Sequence, residues 1–104
     1  MLIYKILRTA EWAELDAAGS TPGAPVDRAD GYIHFSTAAQ LPGTLAKHFA
    51  GETGLWLLAL DAETAGPALT WEPARGGALF PHLYRPLTRA ELAWARPLDD
   101  GLLP

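Results

Sequence analysis

The chain has 104 residues, a net charge of −4 at pH 7 and no cysteine, and 49% of its residues are hydrophobic. This length and composition predict one globular domain, residues 1–104, built around a single core. The acidic balance argues against a general nucleic-acid or anionic-membrane binder, since either function needs a basic face. Without cysteine there is no disulfide, no thiolate nucleophile and no cysteine metal ligand, so any chemistry falls to other polar side chains.

No segment predicts export or membrane insertion. Lys5 and Arg8 interrupt the apolar start of the chain before a signal-peptide core can form. The longest apolar run, Leu55 to Leu60, is far too short to cross a bilayer. We therefore expect a cytoplasmic protein.

The first third of the chain predicts a strand, a helix and a loop. Leu2 to Leu7 is rich in β-forming residues. Thr9 stands where a helix cap belongs, and Gly19 is placed to end that helix. Glycine and proline punctuate residues 20–30, which predicts a surface loop.

Residues 31–36 predict a second strand with one polar face. Alternation places Tyr32, His34 and Ser36 on that face and apolar side chains on the other. The strand therefore brings an imidazole and a hydroxyl to the same surface.

A helix is expected after this strand. Thr37 and Gln40 have the spacing of a capping box. Leu45 and Phe49, four residues apart, predict an apolar stripe, and Gly51 is placed to end the helix.

The rest of the chain predicts four more extended segments. Gly54 to Leu60 lacks alternation, which is typical of a central strand buried on both faces. Ala68 to Glu72 predicts another strand, and two prolines in Leu79 to Leu87 indicate an edge or bent strand. Ala93 to Arg96 is either the end of a helix or a last strand, and we favour the strand.

These elements predict an α+β fold with a mixed or antiparallel sheet of five to six strands and two or three short helices. A parallel βαβ fold would need longer helices between the strands. We expect Trp56 and Trp71 to lie in the core.

His34 is the first candidate for chemistry. One hypothesis is a ligand-orienting or acid/base histidine, with Ser36, Thr37 and Gln40 gathering donors and acceptors at the same strand end. The alternative is a partly buried histidine that bonds a neighbour, with the hydroxyls serving only to cap the following helix.

A second candidate cluster lies near the C-terminus. His82 follows a proline that restricts its backbone, and Tyr84 lies two residues on, on the same strand face. Glu72 is a third acid/base candidate if it faces the same cleft. The alternative is an aromatic cluster that covers a sheet edge, with Glu72 in solvent.

Other catalytic patterns do not fit. His34, His82 and Glu72 are metal-ligand types, but no two of them have the i, i+4 spacing of a helical metal site, so we predict no metal. No GxSxG elbow accompanies Ser36, and no phosphate-binding glycine loop is present.

The motifs DGYIHFSTAAQL and FPHLYRPL, with IYKIL, Trp12 and the pair Trp71 and Glu72, resemble the bacterial family called domain of unknown function 952. The resemblance runs from Leu2 to about Leu98. It implies an ADP-ribosylation-like fold, with a cleft that accepts a molecule of the size of NAD.

The resemblance also implies site residues. In ADP-ribosyltransferases of the histidine–tyrosine–glutamate type, the first sequence block corresponds here to the strand that carries Lys5, but no histidine or glycine stands at its turn. The second block resembles the strand around Tyr32, with His34 near the tyrosine position. Glu72 or His82 is nearest to the catalytic glutamate of the third block. The chain is thus similar to the scaffold more than to the enzyme.

Three functions stay open on the sequence alone. The favoured one is a module that binds a nucleotide-type or small anionic ligand, NAD included, without strong catalysis. The alternatives are a divergent transferase or hydrolase acting on NAD or another phosphorylated substrate, and a structural or protein-interaction domain. The catalytic candidates are His34, Glu72 and His82, and the ligand-binding candidates are Lys5, Tyr32, Ser36, Thr37, Gln40 and Tyr84. The sequence does not specify an oligomeric state.

Overall fold

A leucine-rich strand, β4 (Leu55–Asp61), forms the centre of the main sheet. The computed structural model, which describes residues 1–98 and 103–104, places β4 between β1 (Leu2–Arg8) and β8 (Trp94–Pro97), both antiparallel to it. Leu57, Leu58, Ala59 and Leu60 are all fully buried. The predictions of a central strand in this segment and of a last strand near residue 95 are confirmed.

A second antiparallel sheet has the order β3 (Ile33–His34), β6 (Leu79–Leu83), β5 (Leu69–Pro73). It is joined to the main sheet by Tyr4 and Ser36, whose backbones exchange two hydrogen bonds of 2.8 Å. These two bonds hold β1 beside the segment that follows β3, so side chains of both segments reach the same surface.

Short elements complete the described part of the chain. A two-stranded ribbon pairs β2 (Ser20–Thr21) with β7 (Leu87–Thr88). The four α-helices are α1 (Thr9–Ala18), α2 (Pro25–Asp30), α3 (Leu41–His48) and α4 (Ala62–Ala65). Single 3-10 turns occupy Gly66–Ala68, Arg75–Gly77 and Arg89–Glu91. None of the described helices has the length and apolar character needed to cross a membrane.

Apolar side chains pack on both faces of the main sheet. On one face Trp12 of α1 stacks on Trp56 with ring centroids 4.6 Å apart. On the other face Leu41 and Leu45 of α3 pack against the sheet. The sheet is therefore covered on both sides, which explains why β4 carries an uninterrupted apolar run.

The α+β class and the antiparallel pairing are confirmed, but several details differ from the prediction. Every strand pair among the described residues is antiparallel, so the mixed alternative is wrong. Residues 1–98 and 103–104 contain eight strands and four α-helices, where five to six strands and two or three helices were expected. The excess comes from two-residue strands and from α2 and α4, which are too short to produce a periodic pattern.

Three local predictions were wrong. Residues 20–30 contain α2 and not only a loop, because Pro25 suits the first turn of a helix. Trp71 is 36% exposed and lies outside the core. Of the two alternatives for Leu79 to Leu87, the edge strand is wrong because β6 lies between β3 and β5, while the break between β6 and β7 fits a bent segment. The Pro81 carbonyl accepts a hydrogen bond of 2.9 Å from Phe35 N, and the missing Pro81 N–H faces the same side, beyond the end of β3.

Two leucines test this arrangement. Leu60→Ala should lower the free energy of unfolding by about 2–5 kcal/mol, because the side chain is fully buried in β4. Leu79→Ala should change it by no more than about 0.5 kcal/mol, because that side chain is 52% exposed. Urea denaturation measures both, and equal costs at the two positions would contradict the placement of the two strands.

Candidate functional site

Asp27 is a fully buried carboxylate that joins three elements. Its Oδ2 accepts hydrogen bonds from the backbone N–H of Ala24 and from Lys5 Nζ, both at 2.8 Å. Its Oδ1 accepts from the backbone N–H of His34 at 3.1 Å and from His34 Nδ1 at 2.6 Å. The start of α2, strand β1 and strand β3 therefore meet at one side chain.

The charges of this cluster depend on one another. Burial opposes the charge of Asp27, but the hydrogen bond from His34 and the charge of Lys5 outweigh it and hold the pKa of Asp27 at about 2. Burial lowers the pKa of Lys5, although Asp27 counteracts this effect. The carboxylate is thus ionised at neutral pH and is fully used by its four donors.

Gly23 leaves the space that Asp27 occupies. Its backbone has φ +107°, a conformation that favours glycine. A Cβ atom at this position would lie 2.5 Å from Asp27 Cβ and 2.7 Å from its Oδ2. A larger residue here would therefore displace the carboxylate from its partners.

His34 lies between two carboxylates. Asp27 takes Nδ1, and Asp30 Oδ2 lies 2.9 Å from Nε2. The Asp30 side chain is 45% exposed, whereas that of Asp27 is inaccessible to solvent. Both ring nitrogens of His34 are therefore occupied while Asp30 stays in place.

His82 is held differently. Its Nδ1 lies 2.8 Å from Glu72 Oε1, and that same oxygen accepts a hydrogen bond of 2.6 Å from the Tyr84 hydroxyl. Tyr84 and His82 lower the pKa of Glu72, and Glu72 raises the pKa of Tyr84 to about 12. A carboxylate at Nδ1 favours the proton on that nitrogen, which leaves Nε2 as the acceptor of a neutral ring. Within the described part of the chain, Nε2 has no hydrogen-bond partner.

The two histidines meet across the β3–β6 pair. His34 and His82 are directly opposed in register, with ring centroids 5.4 Å apart. Tyr32 stacks on His82 at 4.1 Å and contacts the His34 ring at 4.6 Å. No three His, Asp or Glu side chains among the described residues are arranged to hold a metal ion.

A cavity of about 560 Å³ opens beside this pair. Both lysines and all three histidines of the chain line it, and Asp30 is the one carboxylate among the described residues that do so. The basic and imidazole side chains of the lining are Lys5, Arg8, His34, Lys47, His48 and His82. An acidic chain thus collects much of its donor capacity in one place.

The structure places only part of the predicted site in this cavity. Lys5, His34, Ser36 and His82 line it, and Ser36 Oγ lies 2.8 Å from Thr44 Oγ1. Glu72 is not among the described lining residues, but it bonds the ring of His82, which is.

Four of the predicted ligand-binding residues lie elsewhere. Tyr32 and Tyr84 line a smaller neighbouring hollow of about 310 Å³. Thr37 and Gln40 bond each other across a tight turn, and Gln40 Nε2 also donates to the backbone carbonyl of Leu79 at 2.8 Å. For this last pair the helix-capping alternative fits the contacts, because their polar atoms are used within the fold.

Sequence reasoning missed Asp27, Asp30, Lys47 and His48. The available signal for Asp27 was its position at the third residue of a helix that begins with proline, where a carboxylate caps the backbone. Lys47 and His48 lie in the last turn of α3, where basic residues complement the helix dipole. That role is enough to explain them in the sequence, so their place in the cavity lining was not predicted.

The sequence matches a family model over residues 6–95, and the family is described as Protein of unknown function (DUF952). The chain belongs to this family. It is similar to the X-ray crystal structure of Protein CC0527 from Caulobacter crescentus, with 50% identity, a TM-score of 0.92 and coverage of 100% of this chain and 94% of that one. The solution NMR structure of CC0527 is also similar, at 50% identity and a TM-score of 0.83, covering 99% of this chain and 90% of that one. No curated protein matches. The likeness to CC0527 extends over nearly the whole length of both chains and shows a shared fold.

Removing the Asp27 charge tests the centre of the site. Asp27→Asn should lower the free energy of unfolding at pH 7 by about 3–5 kcal/mol, because Lys5 would lose its buried partner. In the wild type, the lowered pKa of Asp27 stabilises the fold by about 2 kcal/mol above the unfolded pKa, and this is lost as pH falls through about 2. Urea denaturation between pH 7 and pH 2 measures both effects.

The matched control is Asp16→Asn, which removes an exposed carboxylate paired with Arg89. It should change stability by no more than about 1 kcal/mol. An Asp27→Asn protein that keeps the stability and the acid transition of the wild type would contradict the central role of the buried carboxylate.

Proposed function

We propose that this protein binds a small anionic ligand of nucleotide type in the cavity, without strong catalysis. The observation that carries the proposal is the gathering of both lysines and all three histidines around one cavity of a chain whose net charge is −4. Ammonium and imidazole groups are the donors that bind phosphate and carboxylate oxygens. The net negative charge already favours solubility, so solubility does not explain why these donors gather in one place.

The donors differ in how much charge they offer. Lys5 neutralises Asp27, and Arg8 pairs with Glu52 through two hydrogen bonds of 2.8 and 2.9 Å. Lys47 has no ion pair with a described carboxylate. Lys47 therefore supplies the uncompensated positive charge, and Lys5 supplies N–H groups beyond the one that Asp27 takes.

The size and walls of the cavity suit a ligand with a flat apolar part. A volume of about 560 Å³ falls in the range of small-molecule sites. Phe35, Phe49 and Phe80 contribute to the lining. Aromatic walls beside cationic donors favour a base joined to a phosphate over a bare inorganic anion. The ADP-ribosylation-like architecture stays a prediction of the sequence resemblance, and it adds NAD and ADP-ribose to the ligands worth testing.

Binding is tested by calorimetry with AMP, ADP, ADP-ribose and NAD. We expect at least one of these to bind the wild type and to raise its melting temperature, since a ligand that binds only the folded state stabilises it. Lys47→Gln should weaken that binding by about three- to fivefold, as loss of a partly exposed charge contact. Arg89→Gln, which removes a charge outside the cavity lining, should leave the affinity unchanged.

Lys47 is exposed, and Arg89 is partly exposed with its guanidinium over the Trp12 ring, so neither substitution removes an apolar side chain from the core. Equal losses in the two variants would indicate nonspecific charge attraction and would contradict a site in the cavity. Absence of binding by all four nucleotides would contradict the proposal itself.

A second candidate function is acid/base catalysis on the bound ligand, and His82 favours it. Glu72 orients this ring through Nδ1 and leaves Nε2 as the acceptor in the neutral form. His82 is buried and lines the cavity, so a bound molecule is within its reach. His34 lacks this capacity, because carboxylates hold both of its nitrogens.

Turnover of the same four nucleotides, followed by chromatography of the products, separates the two functions. If the protein is an enzyme, His82→Gln should lower kcat by about a hundredfold or more, since a positioned acid/base group contributes at least that much. Glu72→Gln should lower kcat less and leave KM unchanged, because it disturbs the orientation of the ring only. Wild-type protein that binds a nucleotide without converting it would support binding and contradict catalysis.

A further inference from the structure

The two carboxylates that hold the His34 ring are unequal. Asp27 is inaccessible to solvent and has four donors, so its position is determined by the fold. Asp30 is 45% exposed, and His34 Nε2 is its one ion-pair partner among the described residues. Asp30 is also the last residue of α2, at the helix end where the dipole disfavours negative charge.

Asp30 is free to leave its partner without disturbing the core. The backbone there is held by a hydrogen bond of 2.9 Å from Gly31 N to the Asp27 carbonyl, so only the Asp30 side chain has to turn. A Cβ added at Gly31, which has φ +87°, would meet no atom within 4 Å, so the space on that side is open. When Asp30 turns away, its carboxylate reaches water, which stabilises the charge about as well as an exposed ion pair does. Asp27 cannot do the same, because its charge would stay buried.

Asp30 also occupies the position that the proposed ligand needs. It is the one carboxylate in the described lining of a cavity otherwise supplied with cationic and imidazole groups. Its Oδ2 lies at hydrogen-bond distance from the one nitrogen of His34 that faces away from Asp27. A phosphate oxygen bound to His34 would have to stand where this carboxylate oxygen stands.

We propose that Asp30 is an internal anion that competes with the ligand for His34 and so determines which anions the cavity accepts. The proposal rests on the proposed function and names the contact at which that ligand binds. In the empty protein, Asp30 closes the His34 side of the cavity. A ligand binds there only if its contacts with His34 and the neighbouring donors exceed those that Asp30 gives up. Weakly interacting anions are thereby excluded.

The test is calorimetric titration with AMP of the wild type, of Asp30→Asn and of Asp16→Asn. Asp30→Asn should bind AMP about three- to fivefold more tightly, because the competing carboxylate is gone while the size of the side chain is kept. Asp16→Asn removes the same charge at a comparably exposed position outside the cavity, and it should bind like the wild type.

A second readout separates competition from simple repulsion between Asp30 and the ligand. The chain has only three histidines, so their ring signals can be followed individually by NMR. If AMP replaces Asp30 on His34, the ring signals of His34 shift on titration and reach the same end point in the wild type and in Asp30→Asn. If Asp30 merely repels the ligand, the His34 signals stay unchanged.

The outcomes are distinguishable from failure of the proposed function. If the wild type binds AMP and Asp30→Asn binds it no more tightly, the competition is wrong while the binding function stands. Weaker binding by Asp30→Asn would assign Asp30 as a ligand contact and would overturn the inference. If AMP does not bind but the wild type binds ADP, ADP-ribose or NAD, the same titrations with that nucleotide decide the inference. If neither protein binds any of the four nucleotides, both the proposed site and its competitor are wrong.

Discussion

The buried ion pair between Lys5 and Asp27 is the constraint on which the rest of the site depends. The two residues are far apart in sequence, and their contact of 2.8 Å brings strand β1 against the start of α2. Because Asp27 also takes two hydrogen bonds from His34, the same carboxylate determines where β3 lies and how the imidazole is turned. Lys5 and His34 are thereby held at the wall of one cavity by bonds to the same carboxylate.

Such a cluster is a costly way to stabilise a small domain. Burying two charges requires that nearly every lone pair be satisfied, and an apolar replacement of the same shape is often as stable. Asp27 meets this requirement with four donors, and Gly23 meets it by leaving room for the carboxylate. Apolar side chains already cover both faces of the main sheet. Stability alone therefore does not require a buried ion pair at this place. That argument favours a functional reason for the cluster.

Local sequence patterns predicted much of the fold but little of this cluster. The apolar run of β4 and the alternation around His34 depend on neighbours in sequence, so they were readable. The six-residue helix α2 was not predicted, because glycine and proline at positions 23 and 25 are typical of a loop. The capping role of Asp27, which would have indicated a helix, is visible only in the structure. Asp27 itself acts through contacts with Lys5 and His34, and no periodic pattern encodes a pair that forms only after the chain has folded. The cavity is likewise a product of the join between the two sheets.

The two histidines illustrate the same limit and bear on function. In sequence His34 and His82 are equivalent candidates, each on a short strand beside a tyrosine. Their pairing in register brings the rings to 5.4 Å, but their partners make them different groups. His34 has a carboxylate on each nitrogen, so a ligand could bond this ring only by displacing one of them. His82 has one carboxylate, on Nδ1, and its Nε2 has no partner among the described residues, which is the arrangement that the catalytic alternative requires. The same cavity thus presents one imidazole whose two nitrogens are both bonded to carboxylates and one whose Nε2 has no partner among the described residues, so the two rings would meet a ligand on different terms.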